Sequence, residues 1–143
     1  MGTSAKTTLR IVALSYCVLT VALILKILLL GPGDVPDPAQ AYLAWFYQQP
    51  LTSLEQAIGW TSMAASVVSI IAALGLLFLG RWARPLFVAC LVALVFGELL
   101  LGLPVLKTPF EYFADSLIGV LAGTIVALVY WSEVANEFRT QAT

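Results

Sequence analysis

Lys26 and Glu98 are ionisable residues that lie inside long apolar stretches of this chain. A charge near the centre of a bilayer costs at least about 2.5–3.5 kcal/mol, so such residues need a reason to be there. Each lies within about five residues of the end of its stretch, and Asp115 stands at the start of the last stretch. These three residues therefore predict an intramembrane polar site, in which Lys26 and Glu98 bind a ligand or carry protons. Two alternatives stay open: Lys26 snorkels to the headgroups while Glu98 is solvated or protonated, or the pair only sets the register between helices.

Catalysis at this site would depend on Glu98 and Asp115 as a carboxylate pair for acid–base chemistry. The chain has no histidine, which removes His-ligated metals and any Ser-His or Cys-His pair. Cys17 and Cys90 lie inside apolar runs without a CxxC spacing, and we expect both to be buried apolar side chains. No glycine-rich phosphate loop occurs. We therefore expect a protein that is not an enzyme and has no cofactor, metal or nucleotide.

The composition indicates which solvent surrounds these residues. Of the 143 residues, 61% are hydrophobic and 10% are charged, against about 45–50% and about 25% in soluble domains. A soluble fold of this size cannot bury so much apolar surface. Because the chain has a net charge of −1 and no basic cluster, we do not expect it to bind nucleic acid. We expect the lipid bilayer as its partner.

Four apolar stretches are long enough to span a bilayer, which takes about 20 residues. They cover residues 11–30, 57–79, 85–103 and 115–132, with an outer loop at 31–56. We predict an all-α membrane protein, a four-helix transmembrane bundle in a single domain. The first stretch exceeds the h-region of a typical signal peptide, so we expect it to be retained as an anchor.

Basic residues predict the orientation of the spans. Arg10 precedes the first span, and Arg81 and Arg84 lie in the turn between the second and third, whereas the first loop has no Lys or Arg and the third loop has only Lys107. The positive-inside rule then places both termini in the cytoplasm. Aromatic residues are expected at the two membrane interfaces, among them Trp45, Phe46, Tyr47, Trp82 and Trp131.

The first loop contains a predicted short helix over residues 39–49, between Asp37 as its cap and Pro50. Its aromatic side chains favour a position in the outer headgroup plane, and the alternative is a binding lid. Thr52 and Glu55 then match a capping box at the start of the second span.

Small residues follow one side of two spans. Membrane helices associate where small residues let their backbones approach closely. Such a stripe occurs in the second span, and a GxxxG pattern occurs in the fourth; the residues are Gly59, Ser62, Ser66, Ser69 and Ala73, then Gly119 and Gly123. The stripes either seat these helices in their own bundle, the simpler expectation, or bind another membrane protein. As a matched pair, they predict that spans two and four touch.

The second half of the chain resembles a known group of proteins. Residues 81–85 read Arg-Trp-Ala-Arg-Pro after a tight turn, and the last span exits through residues 132–138. This is similar to small four-span bacterial inner-membrane proteins of uncharacterised function, although Glu133 stands where those proteins usually have proline. The resemblance implies a bacterial inner membrane and no activity.

The leading functional hypothesis is a non-enzymatic membrane protein that binds another membrane component, as an accessory subunit, an immunity-type inhibitor or a homo-oligomer. The alternative is a small oligomeric transporter or channel with its polar site at Lys26 and Glu98. A membrane enzyme acting on lipid through Glu98 and Asp115 is the third hypothesis.

Overall fold

The chain folds into helices that match the predicted apolar stretches. The computed structural model describes residues 2–30, 52–101 and 109–135, together with the single residues 41, 45 and 138. Within these ranges there are four helices and no strand: α1 (Gly2–Leu30), α2 (Ser53–Leu77), α3 (Ala83–Leu101) and α4 (Pro109–Trp131). The all-helical prediction is confirmed. The predicted helix over 39–49 lies outside the described residues, apart from Ala41 and Trp45, which are both helical.

Three of the helices are long and apolar enough to cross a membrane, by length and composition. The qualifying stretches are Ala5–Lys26, Ser53–Leu77 and Phe110–Trp131, while the described apolar stretch of α3, Ala83–Gly97, is shorter. Large apolar side chains also cover the outside of the molecule; Val18, for example, is 67% exposed. Helices that are apolar all round are typical of membrane spans.

The start of α2 is fixed by the predicted capping box, which is confirmed. The backbone N–H of Glu55 donates to Thr52 Oγ1 (3.3 Å), and the backbone N–H of Thr52 donates to Glu55 Oε2 (2.7 Å). Two N–H groups that have no partner within the helix are thereby satisfied.

The turn from α2 to α3 is a Schellman motif. The backbone N–H of Gly80 donates to the carbonyl of Gly75, and that of Leu79 donates to the carbonyl of Leu76, both at 3.0 Å. Leu79 occupies the left-handed position with φ 56°, where glycine is usual. The Trp82 indole then folds back over Gly75, so that a Cβ at this glycine would lie 2.8 Å from the ring.

The four helices pack in the order α4, α1, α2, α3. α2 packs most extensively on α3, α1 contacts both α2 and α4, and α3 and α4 barely touch. Within the described ranges, α2 and α4 have no Cα atoms within 8 Å of each other. The prediction that spans two and four touch is therefore wrong, because α1 packs against both helices and keeps them apart.

The buried core lies toward one end of the bundle. We call this the turn end, because it contains the α2–α3 turn, and we call the opposite end, with Lys26 and Glu111, the loop end. Core side chains come from all four helices and from the segment after α4; among the largest that are fully buried are Leu9, Tyr16, Leu76, Phe87, Ile125, Val129, Val134 and Phe138. Cys17 and Cys90 are free and buried, as predicted.

Candidate functional site

An ion pair joins α1 to α4 at the loop end. Lys26 Nζ lies 2.6 Å from Glu111 Oε1, and the two side chains are only 21% and 13% exposed. Glu111 lies in the first turn of α4, where the helix dipole favours a negative charge. The structure thus gives Lys26 a carboxylate partner on the fourth helix. The side chain of Glu98 lies outside the described residues, so a contact between Lys26 and Glu98 stays a prediction.

Asp115 follows Glu111 by one helical turn and lines a cavity of about 380 Å³. All four helices contribute to the wall of this cavity. Its apolar side chains come mainly from α3 and α4, and its polar side chains come from α1, α2 and α4; the polar ones are Tyr16, Thr20, Ser66, Ser69 and Asp115. The structure therefore places Asp115, Ser66 and Ser69, three of the residues singled out from the sequence, around one space.

The polar wall of the cavity is a hydrogen-bonded chain that continues along α2. The Tyr16 hydroxyl and Ser69 Oγ are 2.9 Å apart. Ser69 Oγ donates to the carbonyl of Ser66 (2.7 Å), and Ser66 Oγ donates to the carbonyl of Ser62 (3.0 Å). Because each serine uses its own proton on a carbonyl, Tyr16 is the donor to Ser69. Tyr16 also packs edge-on against Phe87, at 5.3 Å between ring centroids.

Thr20 lies in the same polar wall but does not take part in its hydrogen bonds. Its side chain is 9% exposed, and Oγ1 is buried without a hydrogen-bond partner among the described residues. The Tyr16 phenol is close enough to interact with this hydroxyl, but it forms its hydrogen bond with Ser69. Buried polar groups are rarely left in this state.

Arg84 holds α3 to α4 at the turn end. Its Nη2 donates to the carbonyl of Val129 (2.8 Å), one of the last carbonyls of α4, which have no partner within the helix. The guanidinium also lies 4.6 Å from the ring centre of Tyr130 and 4.8 Å from that of Phe138. The seam between these helices is thus closed at one end by a single side chain.

The cavity lies further along the same seam. Leu91 lies seven residues after Arg84 on α3, and Ala122 lies seven residues before Val129 on the antiparallel α4. Both residues line the cavity, which therefore lies about 10 Å along the helices from the Arg84–Val129 hydrogen bond. Val95 on α3 and Gly119 on α4 line it too, and both are exposed. The cavity is therefore a cleft that opens sideways between α3 and α4, and we call it the α3–α4 cleft.

The two small-residue stripes lie in different surroundings. On α2, Ser69 and Ala73 are buried, and a Cβ on Gly97 of α3 would overlap the Ser62 hydroxyl. This stripe seats α2 against α1 and α3. Gly59, at the start of the stripe, is exposed, and no described atom would lie within 4 Å of a Cβ there.

On α4 the small residues face outward. Ser116, Gly119, Gly123 and Ala127 are all exposed, and a Cβ at either glycine would meet no described atom within 4 Å. We call these four residues the α4 small-residue face. The Ser116 hydroxyl donates to the carbonyl of Tyr112 (2.8 Å), so it presents no unsatisfied donor. This face packs against no other described part of the chain.

The expected interfacial aromatics are only partly described. Trp45, Trp82 and Trp131 are 56%, 54% and 81% exposed, which suits side chains at a membrane interface. Phe46 and Tyr47 lie outside the described residues.

Sequence reasoning missed Glu111, Thr20 and Arg84 as site residues. The spacing of Glu111 and Asp115 puts two carboxylates on one side of a helix, a signal that was available. Nothing in the local sequence distinguishes Thr20 from other helix-packing hydroxyls. Comparisons with protein-family models, characterised proteins and solved structures find no match for this chain.

Proposed function

We propose that this chain is a non-enzymatic, multi-pass membrane protein that binds a transmembrane helix through the α4 small-residue face. The observation that carries the proposal is the open space over Gly119 and Gly123, where a Cβ would meet no described atom within 4 Å. The partner is the helix of another membrane protein or of a second copy of this chain.

The physical reason is the nature of helix association in lipid. Lipid tails are as apolar as leucine, so helices associate through close packing at small residues and through hydrogen bonds. Glycine inside a helix is less favourable than alanine by about 1 kcal/mol, and the packing of the described chain gains nothing from Gly119 or Gly123. Close packing of a partner backbone against these glycines would offset the free-energy cost of having glycine in the helix. Gly75 of α2 and Gly97 of α3 differ, since the side chains of Trp82 and Ser62 already occupy the space beside them.

The proposed setting is a bacterial inner membrane crossed four times, with both termini in the cytoplasm. Three helices meet the length and hydropathy needed to cross a membrane. The 19 residues of α3 extend about 28 Å at 1.5 Å per residue, close to the roughly 30 Å of a hydrocarbon core. Arg81 and Arg84 at the turn end support its cytoplasmic side.

The experiment is site-specific photo-cross-linking in cells, with a photoreactive amino acid at Val120, which is 65% exposed beside Gly119. We expect a discrete cross-linked product that Gly123→Leu removes, because leucine holds the partner backbone away. Gly59→Leu is the matched control: this glycine is also exposed and open, and the product should persist. Energy transfer between two labelled copies in vesicles identifies a second copy as the partner. An unchanged product in Gly123→Leu, or equal loss in Gly59→Leu, overturns the proposal.

The α3–α4 cleft, which Asp115 lines, favours a second candidate function, a small oligomeric transporter whose polar site is Asp115 together with the nearby Lys26–Glu111 ion pair. Ionisable residues within membrane spans often mark the pathway of a transported ion or substrate. In proteoliposomes, flux that Lys26→Met abolishes would support this candidate. Equal flux in the variant and the wild-type chain would show that Lys26 is not part of a transport site. The absence of flux from the wild-type chain would contradict a transport function.

A further inference from the structure

The α3–α4 cleft is large enough to hold a small molecule. Its volume of about 380 Å³ lies within the range of about 300–1,000 Å³ that is usual for ligand sites. We infer that the cleft binds one lipid-like molecule with a hydroxyl head and a single apolar chain. This inference does not depend on the proposed helix contact, although Gly119 belongs both to the α4 small-residue face and to the wall of the cleft.

The position of the opening decides the route of entry. Val95 is 57% exposed, lines the cleft and lies on α3, while the exposed Gly119 lines it on α4. Among the described residues, the two helices make few contacts, and Arg84 joins them at the turn end. A molecule therefore enters from the side of the bundle, the direction in which the neighbouring helix surfaces are apolar. A lipid-like molecule reaches the cleft without crossing water.

The walls near the opening suit an apolar chain. Leu91, Leu94 and Val95 line the cleft from α3, and Ile118 and Ala122 line it from α4. These side chains carry no polar atoms, so an occupant between the two helices must be apolar there.

The inner wall suits a hydroxyl head. Thr20 Oγ1 is buried and has no hydrogen-bond partner among the described residues, and its side chain lines the cleft. A ligand hydroxyl can satisfy it, since a hydroxyl both donates and accepts. The carboxylate of Asp115 lines the same space and has about four acceptor positions, so it accepts from a ligand hydroxyl in addition to its contacts within the chain.

Asp115 and the ion pair next to it disfavour an acidic head. Lys26 contributes one positive charge, and Glu111 and Asp115 contribute two negative charges, which leaves a formal charge of −1. A carboxylate or phosphate placed next to Asp115 would be repelled at low dielectric. A long-chain alcohol should therefore bind better than the fatty acid of the same length.

The test uses the full chain in detergent and a photoreactive long-chain primary alcohol. We expect saturable labelling at one site per chain, with the label on residues of the cleft such as Leu94 or Ile118. Unlabelled alcohol should compete at least tenfold better than the matching fatty acid or a phospholipid added to the same detergent micelles. Equal competition by all three would mean nonspecific lipid contact and would overturn the inference.

Matched variants locate the site. Val95→Trp narrows the opening and should weaken alcohol binding at least tenfold, whereas Val92→Trp, on the same helix at an exposed position outside the cleft lining, should not. Thr20→Val removes the hydroxyl and should weaken alcohol binding several-fold, whereas Thr20→Ser keeps a hydroxyl and should bind the alcohol like the wild-type chain.

Gly123→Leu, which tests the helix contact, should leave alcohol binding unchanged. Equal affinity in Val95→Trp and Val92→Trp would overturn the inference, and retained helicity by circular dichroism shows that each variant is folded.

Discussion

Arg84 links three parts of the chain through one side chain. It donates to the carbonyl of Val129 and stacks near the rings of Tyr130 and Phe138. The arginine guanidinium is planar, so it can stack on aromatic rings while it donates hydrogen bonds, whereas the lysine ammonium donates but is not planar. The sequence indicated only that Arg84 lies in a basic turn; its role in closing the end of α4 follows from where α3 and α4 meet.

We predict that Arg84→Lys lowers the free energy of unfolding by about 1–3 kcal/mol, because the stacked rings and the charged hydrogen bond are lost together. Denaturant unfolding in detergent micelles measures the change. Arg81→Lys is the control, since the exposed Arg81 should tolerate it within about 0.5 kcal/mol. Similar losses in both variants would contradict the role of Arg84.

The Lys26–Glu111 pair gives a second prediction about single side chains. Lys26→Met and Glu111→Gln should each destabilise the protein by about 1–3 kcal/mol, since each removes an ion pair from a partly buried site. The double variant should recover about 1–2 kcal/mol relative to the sum. The measurement is a double-mutant cycle of unfolding free energies. Additive effects here would contradict the Lys26–Glu111 ion pair, and a stronger coupling between Lys26→Met and Glu98→Gln would show that Glu98 is the principal partner.

The helices of this protein differ in how they use small residues. In α2, Ser69 and Ala73 are buried, while in α4, Gly119 and Gly123 are exposed. Both stripes have helical spacing, so the sequence identified them equally well. Spacing defines which residues share a side of a helix, but it does not define which neighbour that side meets.

The α2–α3 turn supplies a prediction about local packing. Gly75→Ala should destabilise the protein by about 1–3 kcal/mol, because the new Cβ would lie 2.8 Å from the Trp82 ring. The cost should disappear when Trp82→Leu is added. Gly59→Ala is the control, since its Cβ meets open space and the helix should gain up to about 1 kcal/mol. Thermal unfolding in detergent gives both values, and a cost that persists beside Trp82→Leu would contradict the explanation.

The described part of the bundle is packed unevenly from one end to the other. The core clusters at the turn end, where Leu9, Phe87 and Phe138 are buried together, whereas the α3–α4 cleft lies nearer the loop end. A protein interior is normally close-packed, with few voids larger than a water molecule. The turn end of the described chain therefore holds the helices together, and the cleft in which we infer a ligand lies nearer the loop end.

The proposed orientation of the whole molecule predicts opposite accessibility of its two ends. In a chain with Cys17 and Cys90 replaced by alanine, Arg81→Cys and Phe110→Cys place single thiols at the turn end and the loop end, both at exposed positions. We expect a membrane-impermeant thiol reagent to label Phe110→Cys in intact cells and Arg81→Cys only after permeabilisation, because arginines remain on the cytoplasmic side. The reverse pattern, or labelling of both in intact cells, would contradict the orientation.

Composition and spacing were sufficient to predict that the chain is helical, that its helices are apolar, that α2 starts with a capping box and that both cysteines are buried. These properties depend on residue type and on contacts within a few residues, which the chain carries locally. Three other features depend on which helix lies beside which: the partner of Lys26, the separation of spans two and four, and the α3–α4 cleft. In lipid every apolar face is equally well solvated, so hydrophobicity does not select neighbours, and their choice rests on shape and on a few polar contacts that appear only when the helices are packed.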